Sequence, residues 1–304
     1  MVKFRATAFV PGHLTAFFRT ADESLDLAKK GSLGAGICLS MGAISEVLVE
    51  PCNYTKITIR INGKERKANV TRTAIASILE GSSERELLQI DDNFNLIVDT
   101  KLELPEQSGW GMSGAGALSC VLALQEALDI PLSLFETAYH AHLAEIKNST
   151  GLGDVAAQCT GGITMRKRQG IPPHGFVDNI ATGQKNVICL TLPEPLPTAS
   201  VLGDTKALER INRIGKECVD SICRMPTLEN FLRLSHRFSI SSDLMSDNLK
   251  DAYESIEKYG EGGMAMLGNS LFAVGDSGEL TRVLSQFGRV DVCNIDFAGA
   301  RVLP

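Results

Sequence analysis

The chain has little of what nucleic-acid and membrane proteins rely on. Its 30 lysines and arginines are outnumbered by 36 acidic residues, for a formal net charge of −6. The longest basic run is Arg166-Lys167-Arg168. A protein that reads nucleic acid neutralises phosphates with a basic face, so no nucleic-acid partner is expected. No run of about 18 apolar residues occurs, and no membrane-spanning helix is expected. The start, Met1-Val2-Lys3-Phe4-Arg5, lacks the long apolar core of a secretory signal. The 8 cysteines never fall in C-x-x-C spacing, which argues against a zinc ribbon. Reduced, mostly buried thiols in a cytoplasmic protein are expected instead. The G-x4-G-K-[ST] segment of P-loop NTPases is missing, as are the H-R-D and D-F-G segments of protein kinases.

What is present is ordinary in bulk and unusual in one place. With 304 residues, 44% hydrophobic and 22% charged, the chain has ample length for a core, in two domains or one large one. The stretch Pro105–Ala117 reads P-E-Q-S-G-W-G-M-S-G-A-G-A, and a long apolar run, Leu118–Leu128, follows at once. A glycine-rich turn entering a helix aims several backbone N–H groups at one point, where the helix dipole adds partial positive charge. Missing β-carbons let a phosphate approach. Ser113, inside the turn, has a hydroxyl that can meet Mg²⁺ or a phosphate oxygen. The bland alternative is a glycine-rich packing contact. The dinucleotide reading of Gly109-x-Gly111-x-x-Gly114 needs a second strand ending in an acidic residue, and Pro131-Leu132-Ser133-Leu134 opens a helix there instead.

Along the chain, residues 2–10 alternate as a strand that Pro11-Gly12-His13 is expected to break. Strands follow at 43–50 and 55–61, with an Asn62-Gly63 turn signal, then a helix at 72–79 and an alternating segment, 94–104. Ser133-Leu134-Phe135-Glu136 is a capping box, and its helix should run to about Lys147. A short helix begins near Val155, and a strand at 163–166 follows Gly161-Gly162. Turn-forming residues at 172–175 and 193–197 mark the best domain junction. Beyond it come a strand (187–192), helices (204–223, 228–238, 248–259), a strand (271–275), a helix (279–287) and a strand (290–296). The pattern suggests an α+β fold.

Other islands carry polar chemistry. Asp154, after Gly151-Leu152-Gly153, is either an N-cap or a carboxylate presented to take a proton from a substrate hydroxyl. Glu145 lies in the last turn of its helix, where it opposes the macrodipole by roughly 0.3–1 kcal/mol; it is either a metal ligand or a solvated surface residue. His140 and His142 sit about 200° apart on that helix, against a shared metal. His13 closes a turn or contacts a ligand. Residues 260–270 are expected to form another glycine-rich loop, with interleaved methionines, before an apolar strand.

Taken together and in this order, the islands resemble the GHMP kinase superfamily. Pro105, Gly109, Gly111 and Ser113 fall on its P-x3-G-L-G-S-S-A motif, with Trp110, Met112 and Gly114 departing from it. The segment Pro11-Gly12-His13 is similar to its A-P-G-K, with His13 in the place of the lysine of many members. S-T-G-L-G-D is similar to the segment that carries its catalytic aspartate. Within the superfamily, P-G-H-L-T-A-F-F, G-S-L-G-A-G, G-W-G-M-S-G-A-G-A and G-L-G-D-V-A-A-Q are most similar to the archaeal pantoate kinases. The resemblance implies an α+β, two-domain GHMP kinase fold: a ribosomal-S5-like domain over 1–175 and a ferredoxin-like domain over 176–304, with the site between them. It implies ATP and Mg²⁺ as cofactors and phosphorylation of pantoate, a small-molecule substrate, to 4-phosphopantoate on the route to coenzyme A. Asp154 and His13 would be catalytic. Gly109, Gly111, Met112, Ser113, Gly114, Ala115 and Gly116 would bind nucleotide, and Ser113 and Glu145 the metal. His13, Thr15, Ser32, Gly34, Gly36 and Thr150 would face the substrate, whose carboxylate needs a cation: Lys30, Arg19 or Arg166. A homodimer is compatible with the sequence. The alternatives are a GHMP-type kinase of mevalonate, homoserine or shikimate, and a non-catalytic ligand sensor on the same fold.

Overall fold

The computed structural model describes residues 4–80, 93–194 and 205–304. Two long antiparallel strands organise it, β1 (Phe4–Ala21) and β2 (Gly31–Pro51). They pair from Phe4↔Val49 to Ala21↔Gly31. The expected break at Pro11-Gly12-His13 does not occur. The strand absorbs it as a register shift between Pro11 and Gly12, followed by a second shift between Thr15 and Phe17. Proline has no N–H to give a ladder, and a bulge is where a strand tolerates it. Across from it, a β-carbon at Gly42 would lie 2.1 Å from the Val10 carbonyl, so glycine lets the two strands close.

The larger sheet runs β12-β1-β2-β5-β3-β4, with β6 paired to β2 and β7 to β6. Its further members are β3 (Lys56–Ile61), β4 (Lys64–Glu65), β5 (Phe94–Leu102), β6 (Ile163–Arg168), β7 (Phe176–Ile180) and β12 (Arg301–Leu303). Asn62 and Gly63, both at positive φ, turn β3 into β4, as an Asn-Gly hairpin should. The helices of this half among the described residues are α1 (Asn69–Glu80), α2 (Met112–Ala127), α3 (Leu134–Lys147) and α4 (Asp154–Thr160). The capping box at the start of α3 forms: Ser133 N–H donates to Glu136 Oε2 at 2.7 Å and Ser133 Oγ accepts from Glu136 N. Helix α2 is buried on nearly every face, which explains why it is apolar without a polar stripe.

The second sheet is antiparallel: β8 (Asn186–Thr191), β9 (Gly260–Ala265), β10 (Ser270–Gly275) and β11 (Arg289–Asn294), in the order β11-β8-β10-β9. Among the described residues, three helices, α5 (Thr205–Arg224), α6 (Leu228–Ser242) and α7 (Asp247–Ile256), lie between β8 and β9, and α8 (Ser277–Leu284) joins β10 to β11. The fourth strand thus lies beside the first, and the third between the first and second, the ferredoxin-like order. Gly260–Gly263, read from sequence as loop, is a strand. The β-carbon-free Gly262 lets it approach the Phe272 carbonyl of β10, 1.9 Å from where a Cβ would stand. Phe17 and Phe18 of β1 meet Phe231 and Phe238 of α6 at ring separations of 5.9 to 6.5 Å, and Phe231 meets Phe272 of β10 at 6.1 Å. This cluster joins the two sheets in one hydrophobic core.

The expected division at 175/176 falls between β6 and β7, which pair in one sheet, and β12 returns to that same sheet. We propose the linker 181–185, just before β8, as the first boundary of the ferredoxin-like unit. Residue 204, the expected start of a helix, and 195–197 of the proline-rich turn lie outside the described residues, as do residues 2 and 3.

Candidate active site

The glycine-rich motif splits into a turn and a helix start. The sequence predicts Ser113 in a turn and a helix from Leu118; α2 instead begins at Met112. Gly111, at φ 65°, is its N-cap and supplies no side-chain cap. The first-turn N–H groups of Met112, Ser113 and Gly114 therefore have no partner within the helix, and the dipole adds to the pull on an anion. The turn is held from both sides. His13 N–H donates to the Trp110 carbonyl at 2.9 Å. Trp110, buried, donates from Nε1 to Thr191 Oγ1 of β8 at 2.9 Å. The β9–β10 turn backs the loop so closely that a Cβ on Gly268 would stand 2.2 Å from Ser108.

Glu145 is not a surface residue. It is 3% exposed, and Ser113 Oγ and Thr150 Oγ1 both donate to its Oε1, at 2.6 and 2.7 Å. Burial pushes its carboxyl up to about 7, against the pull of those hydroxyls and with a further push from the Asp154 charge. Its other oxygen, Oε2, faces a space that glycines keep open. The point where a Cβ at Gly151 would stand is 2.1 Å from Glu145 Oε2 and 3.6 Å from Asp154 Oδ2. A buried carboxylate that is costly to ionise, a serine hydroxyl and adjacent uncapped amides fit Mg²⁺, which takes one or two protein oxygens and completes its shell with phosphates and water. Among the described residues, no group of three or more His, Cys, Asp or Glu side chains forms a separate metal centre. Thr150, expected at the substrate, sits with Glu145.

Asp154 is the first residue of α4, and Gly153, not Asp154, is the N-cap. Its carboxylate turns away from the helix amides toward β1, and His13 Nδ1 lies 2.7 Å from its Oδ1. The β1 bulge before Gly12 is what brings His13 to this place. His13 is fully buried, and burial lowers its pKa although Asp154 pulls the other way. Burial also pushes the Asp154 carboxyl up, but His13, Arg166 and Thr15 outweigh it and hold it below its ordinary value. Asp154 is thus ionised at neutral pH and His13 neutral, with Nδ1–H donated to Asp154. The Nε2 atom then accepts from Thr164 Oγ1, 3.2 Å away. Gly36 packs on the imidazole: a Cβ there would lie 2.5 Å from Nε2.

On the far side of Asp154 stands Arg166, 3% exposed. Its Nη2 donates to Thr15 Oγ1 at 3.2 Å, while Nε and Nη1 are buried without a partner. Glycines again clear the space. A Cβ at Gly153 would lie 2.6 Å from Ser32 Oγ and 2.8 Å from Arg166 Nε, and one at Gly34 would lie 3.0 Å from Arg166 Nη2. Of the three cations left open by the sequence, Lys30 and Arg19 are half-buried and Arg166 is the one enclosed here. Thr164 and Gln158 belong to the site and were missed. Neither falls in a recognisable motif, and only the register of β6 and the turn of α4 bring them in.

A model of the GHMP kinases N terminal domain matches residues 70–162. The pantoate kinase of Methanocaldococcus jannaschii is 31% identical over 94% of this chain and 99% of its own. That of Methanospirillum hungatei is 31% identical over 98% of this chain and 96% of its own. A solved structure described as a phosphotransferase related to the CoA biosynthesis pathway superposes with a TM-score of 0.86 at 27% identity, covering 98% of both chains. By these matches, this chain is a small-molecule kinase that belongs to the pantoate kinase family of the GHMP kinases.

Proposed function

We propose that the protein transfers the γ-phosphoryl group of ATP to the primary hydroxyl of pantoate, giving 4-phosphopantoate and ADP, and does so in the cytoplasm. The observation that carries this reading is Arg166: a buried guanidinium with two unpartnered nitrogens, across Gly153 from Ser32 Oγ and beside Asp154. An orphaned buried cation calls for an anion, and a guanidinium fork suits a carboxylate. Pantoate has a carboxylate at one end and the reacting hydroxyl at the other. With the carboxylate on Arg166 and Ser32, the hydroxyl falls toward Asp154.

The triphosphate end of the nucleotide belongs at the first turn of α2, on the amides of Met112, Ser113 and Gly114. Ser113 and Glu145 would hold Mg²⁺, which when bound supplies neutralisation of phosphate charge. Phosphoryl transfer needs positioning and charge balance more than covalent help from the protein. Asp154 supplies orientation. His13 occupies Oδ1, which leaves Oδ2 for the substrate O–H. A carboxylate held below its usual pKa is a weak base, so the proton passes to it late, as the new O–P bond forms. His13 stays neutral and keeps the Asp154 carboxylate fixed, a role a donor N–H fills without adding charge.

A coupled kinase assay with pantoate, mevalonate, homoserine and shikimate tests the reading. Turnover of pantoate is expected. Arg166→Met should raise the KM for pantoate about 10- to 100-fold, the worth of one charged hydrogen-bonded contact, and leave the KM for ATP in place. Turnover of another of these substrates, and none of pantoate, would refute the assignment.

A further inference from the structure

Gln158 lies one turn after Asp154 in α4 and is fully buried. Its Nε2 donates to the Gly111 carbonyl at 2.9 Å. The same carbonyl accepts the Ala115 N–H at 3.0 Å. Those two donors fix the N-cap peptide of α2, and they also fix the amide of Gln158, because a flipped amide would set oxygen against oxygen. Its Oε1 must then point the other way, and it is buried with no partner. A buried acceptor without a donor is costly, so a donor is missing from this place.

The surroundings narrow what that donor is. The point where a Cβ at Gly114 would stand is 3.2 Å from Gln158 Oε1, 3.3 Å from Val155 Cγ2 and 3.5 Å from Glu145 Oε2. Val155 offers no hydrogen, and Glu145 Oε2, once ionised on a cation, is itself an acceptor. Phosphate oxygens are acceptors too, so nucleotide alone would leave Oε1 orphaned. A water on a divalent cation is a strong donor, and Glu145 Oε2 is beside it to hold that cation. Gly114, which departs from the alanine of the superfamily motif, is the residue whose missing β-carbon leaves this space open.

We infer that Gln158 Oε1 accepts a hydrogen bond from a water carried by the nucleotide's divalent cation. Gln158 is a positioning residue that ties the cation to the N-cap peptide of the phosphate-binding helix, across the space kept by Gly114. The inference rests on the reading that Ser113 and Glu145 hold the metal.

The test measures Mn²⁺ by electron paramagnetic resonance, in the full-length protein with a non-hydrolysable ATP analogue, beside the melting temperature of the metal-free protein. Gln158→Met removes donor and acceptor; Gln158→Glu keeps the acceptor alone. Loss of a residue that acts on a metal through its bound shell lowers affinity roughly 10- to 100-fold. Gln158→Met should fall in that range, while affinity for metal-free analogue holds. Gln158→Glu should retain wild-type Mn²⁺ affinity or exceed it. Gly114→Ala should lose Mn²⁺ as the Met variant does, and it decides the matter should Gln158→Met not fold. Wild-type Mn²⁺ affinity in a folded Gln158→Met overturns the inference, as does equal loss in Gln158→Glu. A wild-type complex that holds no Mn²⁺ overturns the metal reading and the inference with it.

Discussion

Asp154 keeps a proton acceptor ionised beside a neutral imidazole and a buried guanidinium, and replacing it separates chemistry from folding. In Asp154→Asn, kcat should drop on the order of 10²–10⁴-fold, the usual worth of a general base. Gly153 is the N-cap and keeps the helix start, while the buried Arg166 loses the negative charge beside it, so some stability goes with the carboxylate. The measurement is kcat beside melting temperature, and a stable variant with near-normal turnover would remove Asp154 from the mechanism. His142, on the same helix as Glu145, gives a stability effect with pH. Its Nε2–H donates to the Leu27 carbonyl at 3.3 Å, and burial pushes its pKa down to about 4 from 6.5. Between those values the unfolded chain binds a proton that the folded one does not. Stability from this group is therefore whole above pH 6.5, declines as pH falls, and is fully lost near pH 4, in all about 3 kcal/mol. Glu145, pushed up to about 7, gives the opposite slope over nearly the same window, so the effect is read as a difference: in urea melts, His142→Gln should lose less stability than the wild type as pH falls through that window. An unchanged slope would mean that His142 is not the group responsible.

Among the elements, α2 and the turn before α4 carry glycines of two kinds, and their replacements should part company. A Cβ at Gly116 meets nothing nearer than 3.6 Å, an ordinary contact in a helix interior. Gly116→Ala should raise stability by roughly 0.5–1 kcal/mol and leave nucleotide affinity as it is, checked by urea denaturation and calorimetry. At Gly151 the methyl would fall 2.1 Å from Glu145 Oε2. Gly151→Ala should displace that carboxylate and raise the Mg²⁺ concentration needed for half activity at least several-fold. A Gly151→Ala enzyme with normal Mg²⁺ dependence would show that the space beside Oε2 is not where the cation sits. The Gly116 pair of measurements fails if alanine there weakens nucleotide binding, since that would make the position part of the cradle.

For the whole molecule, the site lies on a seam. Its phosphate turn is anchored on β8 through Trp110 and backed by the β9–β10 turn, while Met266 N–H reaches the Thr15 carbonyl of β1 at 2.8 Å. The five phenylalanines of the joint core bind the same two halves. Trp110 is the only tryptophan, so its emission reports this seam alone. Unfolding followed by tryptophan emission and by far-UV circular dichroism should give coincident curves, the mark of one cooperative transition. Separate midpoints would mean that the ferredoxin-like half unfolds by itself. Magnesium–ATP should also shift the emission, because the proposed phosphate-binding amides begin two residues from Trp110, and a silent titration with proven binding would place the nucleotide elsewhere.

By itself the sequence determined the helices with strong local signals, such as the capping box at Ser133 and the Asn62-Gly63 turn, because those depend on neighbours a few residues away. It also determined the family, through motifs whose glycines and hydroxyls are needed at set spacings by phosphate chemistry. Only the tertiary structure decided the rest. Pro11-Gly12-His13 and Gly260–Gly263 look like breaks because proline and glycine are weak strand formers locally; long-range pairing, which lets backbones meet only where no β-carbon intervenes, makes them strands. Glu145 looks like a surface residue at a helix end, and its partner Ser113 comes from another helix, 32 residues earlier. Arg166 could not be told from Lys30 or Arg19 by spacing, since a cation's partners lie across the sheet. Gln158 gives no local signal at all: an orphaned amide oxygen exists only once the chain has closed around it.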